Sequence, residues 1–493
     1  MTVVDDSATA AAQQRPAGMG MRALRNTGML LLTRVVSRIL ALIAVITIGN
    51  ALGDTAFGQM QTAVTYVGLV GTVTDLGLSA LYVREGARNV ASLGRFWNNV
   101  ASLKLMLSVL SIPPLFALLW VAGIQPLLLP AFALSLLSGY QLLLRNSLYA
   151  MQQLGFEIIE IVPETLIVLG MAIAGAKLHM GAAYFLWTYT ASYFFACAYF
   201  SIVLWRKGVL QPRFRIEMPL LRPWVRAAVP LGITFVITTV YFKIDVPILQ
   251  RFRPYSEVGA YTFAYKPFEA LLFIPFSLRG VVFPLLSVYH RRAPDRVLPL
   301  SEKFFKALVL LGWPITVGVF MLAPQFNSLL QLFPTSEPAL RILALAIVFM
   351  FADNTFAATL NAIDKQNVFA LVALVGLVVN VGVNLVVIPR YGYIGASWAV
   401  VVTEAALVIV GWFVLRAQLG TLRVVHAAWK AVAAGAVMGV FLYFVQPQGR
   451  LALFGVVAGA AAIYFAALAL LRVADAEERA LIRSALRPGR RTS

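Results

Sequence analysis

The stretch YFKIDVPILQRF at 241–252 sets Lys243 and Asp245 two residues apart in an otherwise apolar run. On a helix that spacing is about 200° around the axis, so the two side chains point in different directions unless Pro247 distorts the turn. One is expected to point into a cavity and the other into a neighbouring helix, with Lys266 or Arg279 as partner for Asp245. Other ionisable residues lie in similar surroundings: Arg34, Arg38, Lys104, Glu269, Asp353 and Glu404. Guanidinium groups bind phosphate oxygens through a bidentate fork. Carboxylates in such places bind a coupling cation or neutralise an arginine. Six bases (Arg34, Arg38, Lys104, Lys243, Lys266, Arg279) stand against four acids (Asp245, Glu269, Asp353, Glu404), a surplus that suits an anionic ligand.

These charges need helices to hold them in lipid. The chain has 493 residues, 60% hydrophobic and 12% charged, about half the charge of a soluble domain. The apolar stretches are long and continuous, which favours membrane-spanning helices over a β-barrel. Fourteen are expected: 29–49, 59–81, 99–120, 126–149, 157–176, 181–205, 224–250, 257–288, 305–330, 340–363, 367–388, 393–415, 425–445 and 451–471. Placing the N-terminus inside puts about 28 of the 40 Lys and Arg on the cytoplasmic side, as the positive-inside rule requires. The same rule accounts for the net charge of +19 without nucleic acid. Both termini are then cytoplasmic, with 1–28 a tail and 473–493 a basic tail able to form an amphipathic helix on the inner leaflet. Arg34 and Lys104 lie near the starts of their spans and could reach the interface by snorkelling. Lys266 and Glu269, three apart, could neutralise each other. Arg279 lies about ten residues, or roughly 15 Å, from the nearest charged loop, too deep to snorkel.

Several classes are excluded. The single cysteine, Cys197, allows no disulfide within the chain. His179, His290 and His426 have no metal-ligand spacing. There is no Gly-Lys pair, hence no Walker A loop, and no loop exceeds about 20 residues, which leaves no room for an extramembrane catalytic domain. The chain is not expected to be an enzyme.

The two halves resemble each other. AFGQMQTA at 56–63 matches EVGAYTFA at 257–264, SLYAMQQ at 147–153 matches TLNAIDK at 359–365, and GAAYFLWTYT at 181–190 matches GASWAVVVTE at 395–404. The order is kept, and a shift of six spans preserves orientation. This predicts two parallel six-helix lobes, 29–205 and 224–418, joined by a basic linker at 206–223, with two extra helices in 419–472.

Three stretches carry a further resemblance: SRILALIAVITIGNALGDTAFGQMQTAVTYVGLVGTVTDLGLSALYVRE at 37–85, KIDVPILQRFRPYSEVGAYTFAYKPFE at 243–269, and VVNVGVNLVVIPRYGYIGASWAVVVTE at 378–404. The chain resembles the polysaccharide-transporter branch of the multidrug/oligosaccharidyl-lipid/polysaccharide (MOP) exporter superfamily. The resemblance implies an all-α, V-shaped polytopic bundle that alternates access in the cell inner membrane and flips a polyprenyl-(di)phosphate-linked oligosaccharide. Arg34, Arg38, Lys243, Lys266 and Arg279 are then candidates for the phosphates in a central cavity. Asp245, Glu269, Asp353 and Glu404 are candidates for ion coupling or charge pairing, and Tyr66, Tyr241, Tyr261 and Tyr265 for glycan contacts. No cofactor is expected beyond a sodium or proton gradient. Expected partners are membrane lipids and a polysaccharide polymerase with its export machinery. The alternatives are a cation-coupled multidrug antiporter of the same superfamily and, from another class, a membrane glycan polymerase or ligase.

Overall fold

A computed structural model describes residues 17–473 of the chain. Of the expected tails 1–28 and 473–493, residues 1–16 and 474–493, including the amphipathic C-terminal helix, lie outside the described residues, as does the side chain of His426, while 17–28 belong to the first helix rather than to a tail. Among the described residues there are helices and no strand. An apolar segment in lipid must satisfy its own backbone hydrogen bonds, and a helix does so within itself.

The helices are α1 (Ala17–Asp75), α2 (Leu78–Arg88), α3 (Leu93–Leu110), α4 (Ile112–Val121), α5 (Leu128–Ala150), α6 (Gly155–Lys177), α7 (Ala182–Arg206), α8 (Met218–Lys243), α9 (Asp245–Phe252), α10 (Tyr255–Leu271), α11 (Phe273–Arg292), α12 (Val297–Met321), α13 (Ala323–Leu329), α14 (Glu337–Ala362), α15 (Gln366–Leu419), α16 (Val424–Phe444) and α17 (Arg450–Leu470). Among the described residues nine helices are long and apolar enough to cross a membrane, or ten with the bent pair Met218–Pro230 and Gly232–Lys243. Two of the nine are really two arms each. α1 turns at Gly53 (φ 73°) and α15 at Gly392 (φ 58°), left-handed values that glycine adopts without cost. The fourteen expected segments lie largely on helix, although 59–81, 99–120, 224–250, 257–288 and 305–330 each run across a break; the chain is an all-α polytopic membrane protein.

Proline sets two further breaks. Pro247 has no N–H for the Lys243 carbonyl, and α8 gives way to α9 at Ile244. Pro275 has none for the Leu271 carbonyl, and α10 gives way to α11 at Leu272.

The chain forms two compact units. Unit 1 comprises the described part of Met1–Ile48 with Val70–Leu119 and Gln125–Ile233. Unit 2 comprises Gly49–Leu69, Trp120–Ile124 and the described part of Thr234–Ser493. The stretch 206–223, expected as an interlobe linker, is part of unit 1. The unit 1 core joins Tyr82, Leu93, Leu143, Phe200 and Leu204, and the Tyr82 and Ser147 hydroxyls share a buried hydrogen bond of 2.7 Å. In unit 2, α16 and α17 close on α12 through Ala434, Met438, Leu453 and Tyr464.

Within unit 2 the second arm of α1 meets α10 backbone to backbone. A Cβ on Gly58 would sit 2.9 Å from the Gly259 nitrogen, and one on Gly259 would collide with the Asp54 carbonyl. Gly58 and Gly259 occupy the same column of the sequence repeat. Only glycine permits this approach.

Candidate functional site

In unit 2 the charged residues converge from six helices. Tyr241 and Lys243 end α8, and Asp245 begins α9. Tyr261, Tyr265, Lys266 and Glu269 lie on α10, Arg279 on α11, Asp353 on α14 and Glu404 on the second arm of α15. The Tyr241 hydroxyl donates to the Glu404 carboxylate, and the Tyr261 hydroxyl donates to Asp245, whose other oxygen accepts from the Val246 N–H at 2.9 Å. Lys266 and Glu269 form an ion pair of 3.3 Å. Arg279 and Asp353 are within electrostatic reach of each other, and Asp353 of Glu404. Lys243 feels Glu269, Lys266 and Asp245 together.

Lys243 and Asp245 do point apart. The Lys243 stem runs past Gly68 of α1, 3.4 Å from where a Cβ would stand, while Asp245 is buried against α10. The partner of Asp245 corrects the expectation: it is Tyr261, not Lys266 or Arg279. A tyrosine hydroxyl satisfies a buried carboxylate without a second desolvated charge. The tyrosines also serve the frame. Tyr261 is 1% exposed, Tyr66 donates to Gln250 at 3.2 Å, and Tyr265 packs between Tyr261 and Phe268.

Unit 1 holds a second group. Arg34 of α1 donates to Glu157 of α6 at 2.9 Å and to the Tyr149 hydroxyl at 3.3 Å. Tyr149 in turn donates to the other Glu157 oxygen at 2.8 Å. Arg34 is therefore held by a carboxylate rather than reaching out alone, and Arg38, one turn on, is exposed. Lys104 corrects another expectation. It does not snorkel, but is 5% exposed and paired with Asp75 at 2.9 Å.

Five charged residues of this unit lie outside the sequence-derived set: Asp75, Arg145, Glu157, Glu160 and Glu164. Glu157, Glu160 and Glu164 share a face of α6 and, with Arg145, interact electrostatically. Their spacing of three and four in an apolar helix was the available signal. Adding four acids and one base turns the expected cationic surplus into near parity. Among the described residues Arg38, Lys243 and Arg279 form no ion pair, whereas Arg34, Lys104 and Lys266 do.

No group of three or more His, Cys, Asp or Glu among the described residues could hold a metal ion.

A family model for polysaccharide biosynthesis proteins matches residues 23–290, and one for MatE proteins matches 230–386. The chain is 24% identical over 419 residues to the succinoglycan biosynthesis transport protein ExoT of Rhizobium meliloti (strain 1021), covering 80% of each chain. Its fold is similar to that of the lipid II flippase MurJ in an inward closed conformation, with a TM-score of 0.75 and 14% identity over 92% of this chain and 99% of that one. An inward-facing multidrug resistance MATE transporter of the MOP superfamily matches with a TM-score of 0.64 and 15% identity, over 78% of this chain and 94% of that one. The family match spans more than half of the sequence, and the helical fold is consistent with it: the chain belongs to the polysaccharide biosynthesis protein family.

Proposed function

We propose that the chain is a transporter that flips a polyprenyl-(di)phosphate-linked oligosaccharide across the cell inner membrane by alternating access, for cell-surface polysaccharide synthesis. The observation that carries this reading is the match to a succinoglycan transport protein over 80% of both chains. The ionisable groups in the spans support it. Lys243 and Arg279 are bases without an ion-pair partner among the described residues, held inside apolar helices. An arginine and a lysine so placed supply the point charge and the fork that a phosphate needs. Arg38 is a further candidate in unit 1. Arg34 and Lys266, already paired, reach a phosphate only by exchanging Glu157 or Glu269 for it.

The orientation proposed with this function has both termini cytoplasmic and the basic linker 206–223 on the same side. Energy comes from a sodium or proton gradient, with the carboxylates of either unit as coupling groups. A polymerase and its export machinery take the flipped product.

One observation favours a second reading, a cation-coupled drug antiporter. The MatE match covers 230–386, and unit 1 holds the buried carboxylates Glu157 and Glu160. Deleting the gene and complementing it with variants separates the two. In a flippase, loss of the protein stops surface glycan and Arg279→Ala fails to restore it. In an antiporter, glycan is unchanged and sensitivity to cationic drugs rises instead.

A further inference from the structure

Unit 1 carries a groove of about 620 Å³ between α3 and the first half of α8. Its walls are apolar, with Leu103 and Met106 on one side and Val225 and Val229 on the other, apart from Arg222 and Arg226. The adjoining face of α8 is already used: Ala228 packs against Leu78 and Leu81 of α2, with Leu103 and Val225 at the edge of that cluster. Met218, Arg222, Val225, Arg226 and Val229 recur at helical spacing and share the groove face.

The groove is a built feature. The N–H groups of Arg213 and Arg215 donate to Asn98 Oδ1 at 3.0 Å and Ser102 Oγ at 2.9 Å, and that of Glu217 donates to Asn99 Oδ1 at 2.6 Å. These bonds tie the incoming segment along α3 and fix where α8 starts. Among the described residues neither Arg222 nor Arg226 has an ion-pair or hydrogen-bond partner, and both are exposed. They are one turn apart, about 7 and 13 Å along the helix from Glu217. That is the depth of lipid headgroups and upper acyl chains for a helix entering the membrane at its first turns.

Two permanent cations on the wall of an apolar groove fit an anion that is attached to hydrocarbon. We propose that this groove binds one anionic phospholipid, its phosphate between Arg222 and Arg226 and an acyl chain along Leu103, Met106, Val225 and Val229. A free phosphate would leave the apolar walls unpartnered, and a zwitterionic lipid would bring its own cation against the two arginines. This site does not depend on what the protein transports. Its occupant is a resident of the bilayer leaflet that borders the linker.

Native mass spectrometry of the full chain, titrated with phosphatidylglycerol and with phosphatidylcholine of the same acyl chains, tests it. Phosphatidylglycerol is expected to be retained in preference. R222Q with R226Q together should weaken that retention about thirty-fold, while R222K with R226K keeps most of it and R291Q with R292Q changes nothing. Met106→Trp, which fills the groove and leaves both arginines, should also displace the lipid. Equal retention of the two lipids, or unchanged retention in the double glutamine variant, overturns the proposal. So does displacement of phosphatidylglycerol by an equimolar polyprenyl phosphate, which would assign the groove to the carrier lipid.

Discussion

Arg279 and the Lys104–Asp75 pair are opposite uses of charge inside a helical membrane protein. Arg279 has no ion-pair contact among the described residues and interacts electrostatically with one acid, Asp353. Arg279→Ala should abolish glycan export with protein level and insertion intact. Arg279→Lys should keep part of it, because the charge survives though the fork does not. Lys104 and Asp75 are both nearly buried, at 6% and 10% side-chain exposure, and are satisfied by each other. Asp75→Ala strands an ammonium and should cost about 3–5 kcal/mol, read as an earlier thermal unfolding; Lys104→Met with Asp75→Leu should recover most of it. Some of this was legible in the sequence. Helix arithmetic alone sends Lys243 and Asp245 in different directions. Their partners were not legible, because a tyrosine such as Tyr261 carries no charge to mark it as a carboxylate's neighbour. Glu157, Glu160 and Glu164 crowd the start of a span, where acids ordinarily look interfacial.

Helix ends and breaks carry the next level. The breaks at Pro247 and Pro275 follow from proline chemistry, and those at Gly53 and Gly392 from glycine's access to positive φ. The strapping of residues 209–217 onto α3 is different. It rests on Asn98, Asn99 and Ser102, polar residues whose targets lie more than a hundred positions away. Glu217 locks that strap outside the span: it accepts from Arg95 and Asn99 and pairs with Arg215 at 2.7 Å. These contacts, Arg95 foremost, hold its carboxyl at about 2, below the ordinary 4.5. A depressed carboxyl stabilises its state above the ordinary range, and that contribution is lost as pH falls through the folded value. The strap should therefore persist at neutral pH and loosen only in strong acid. Glu217→Gln should loosen it at neutral pH, seen as faster amide hydrogen exchange across 209–217 with the exchange of α5 unchanged.

At the scale of the molecule, the helical class follows directly from apolar stretch length, since lipid leaves a chain few other choices. The unit boundaries do not. They cut through α1 between Ile48 and Gly49 and through α8 between Ile233 and Thr234. No composition shift marks a point inside a continuous apolar helix. The proposed orientation makes a simple prediction: reporters fused in 331–339 and at the C-terminus should report opposite sides of the membrane, and the same side for both would contradict it. The central claim, that the protein flips a lipid-linked glycan, is tested most directly in proteoliposomes. A fluorescent polyprenyl-diphosphate oligosaccharide is placed in both leaflets, and the rate at which inner-leaflet probe becomes open to an impermeant quencher is measured. Wild-type protein should speed that exposure well above protein-free vesicles, and Arg279→Ala should return it to the protein-free rate. A wild-type rate equal to that of protein-free vesicles, with the same preparation extruding a cationic dye down an imposed ion gradient, would contradict the account.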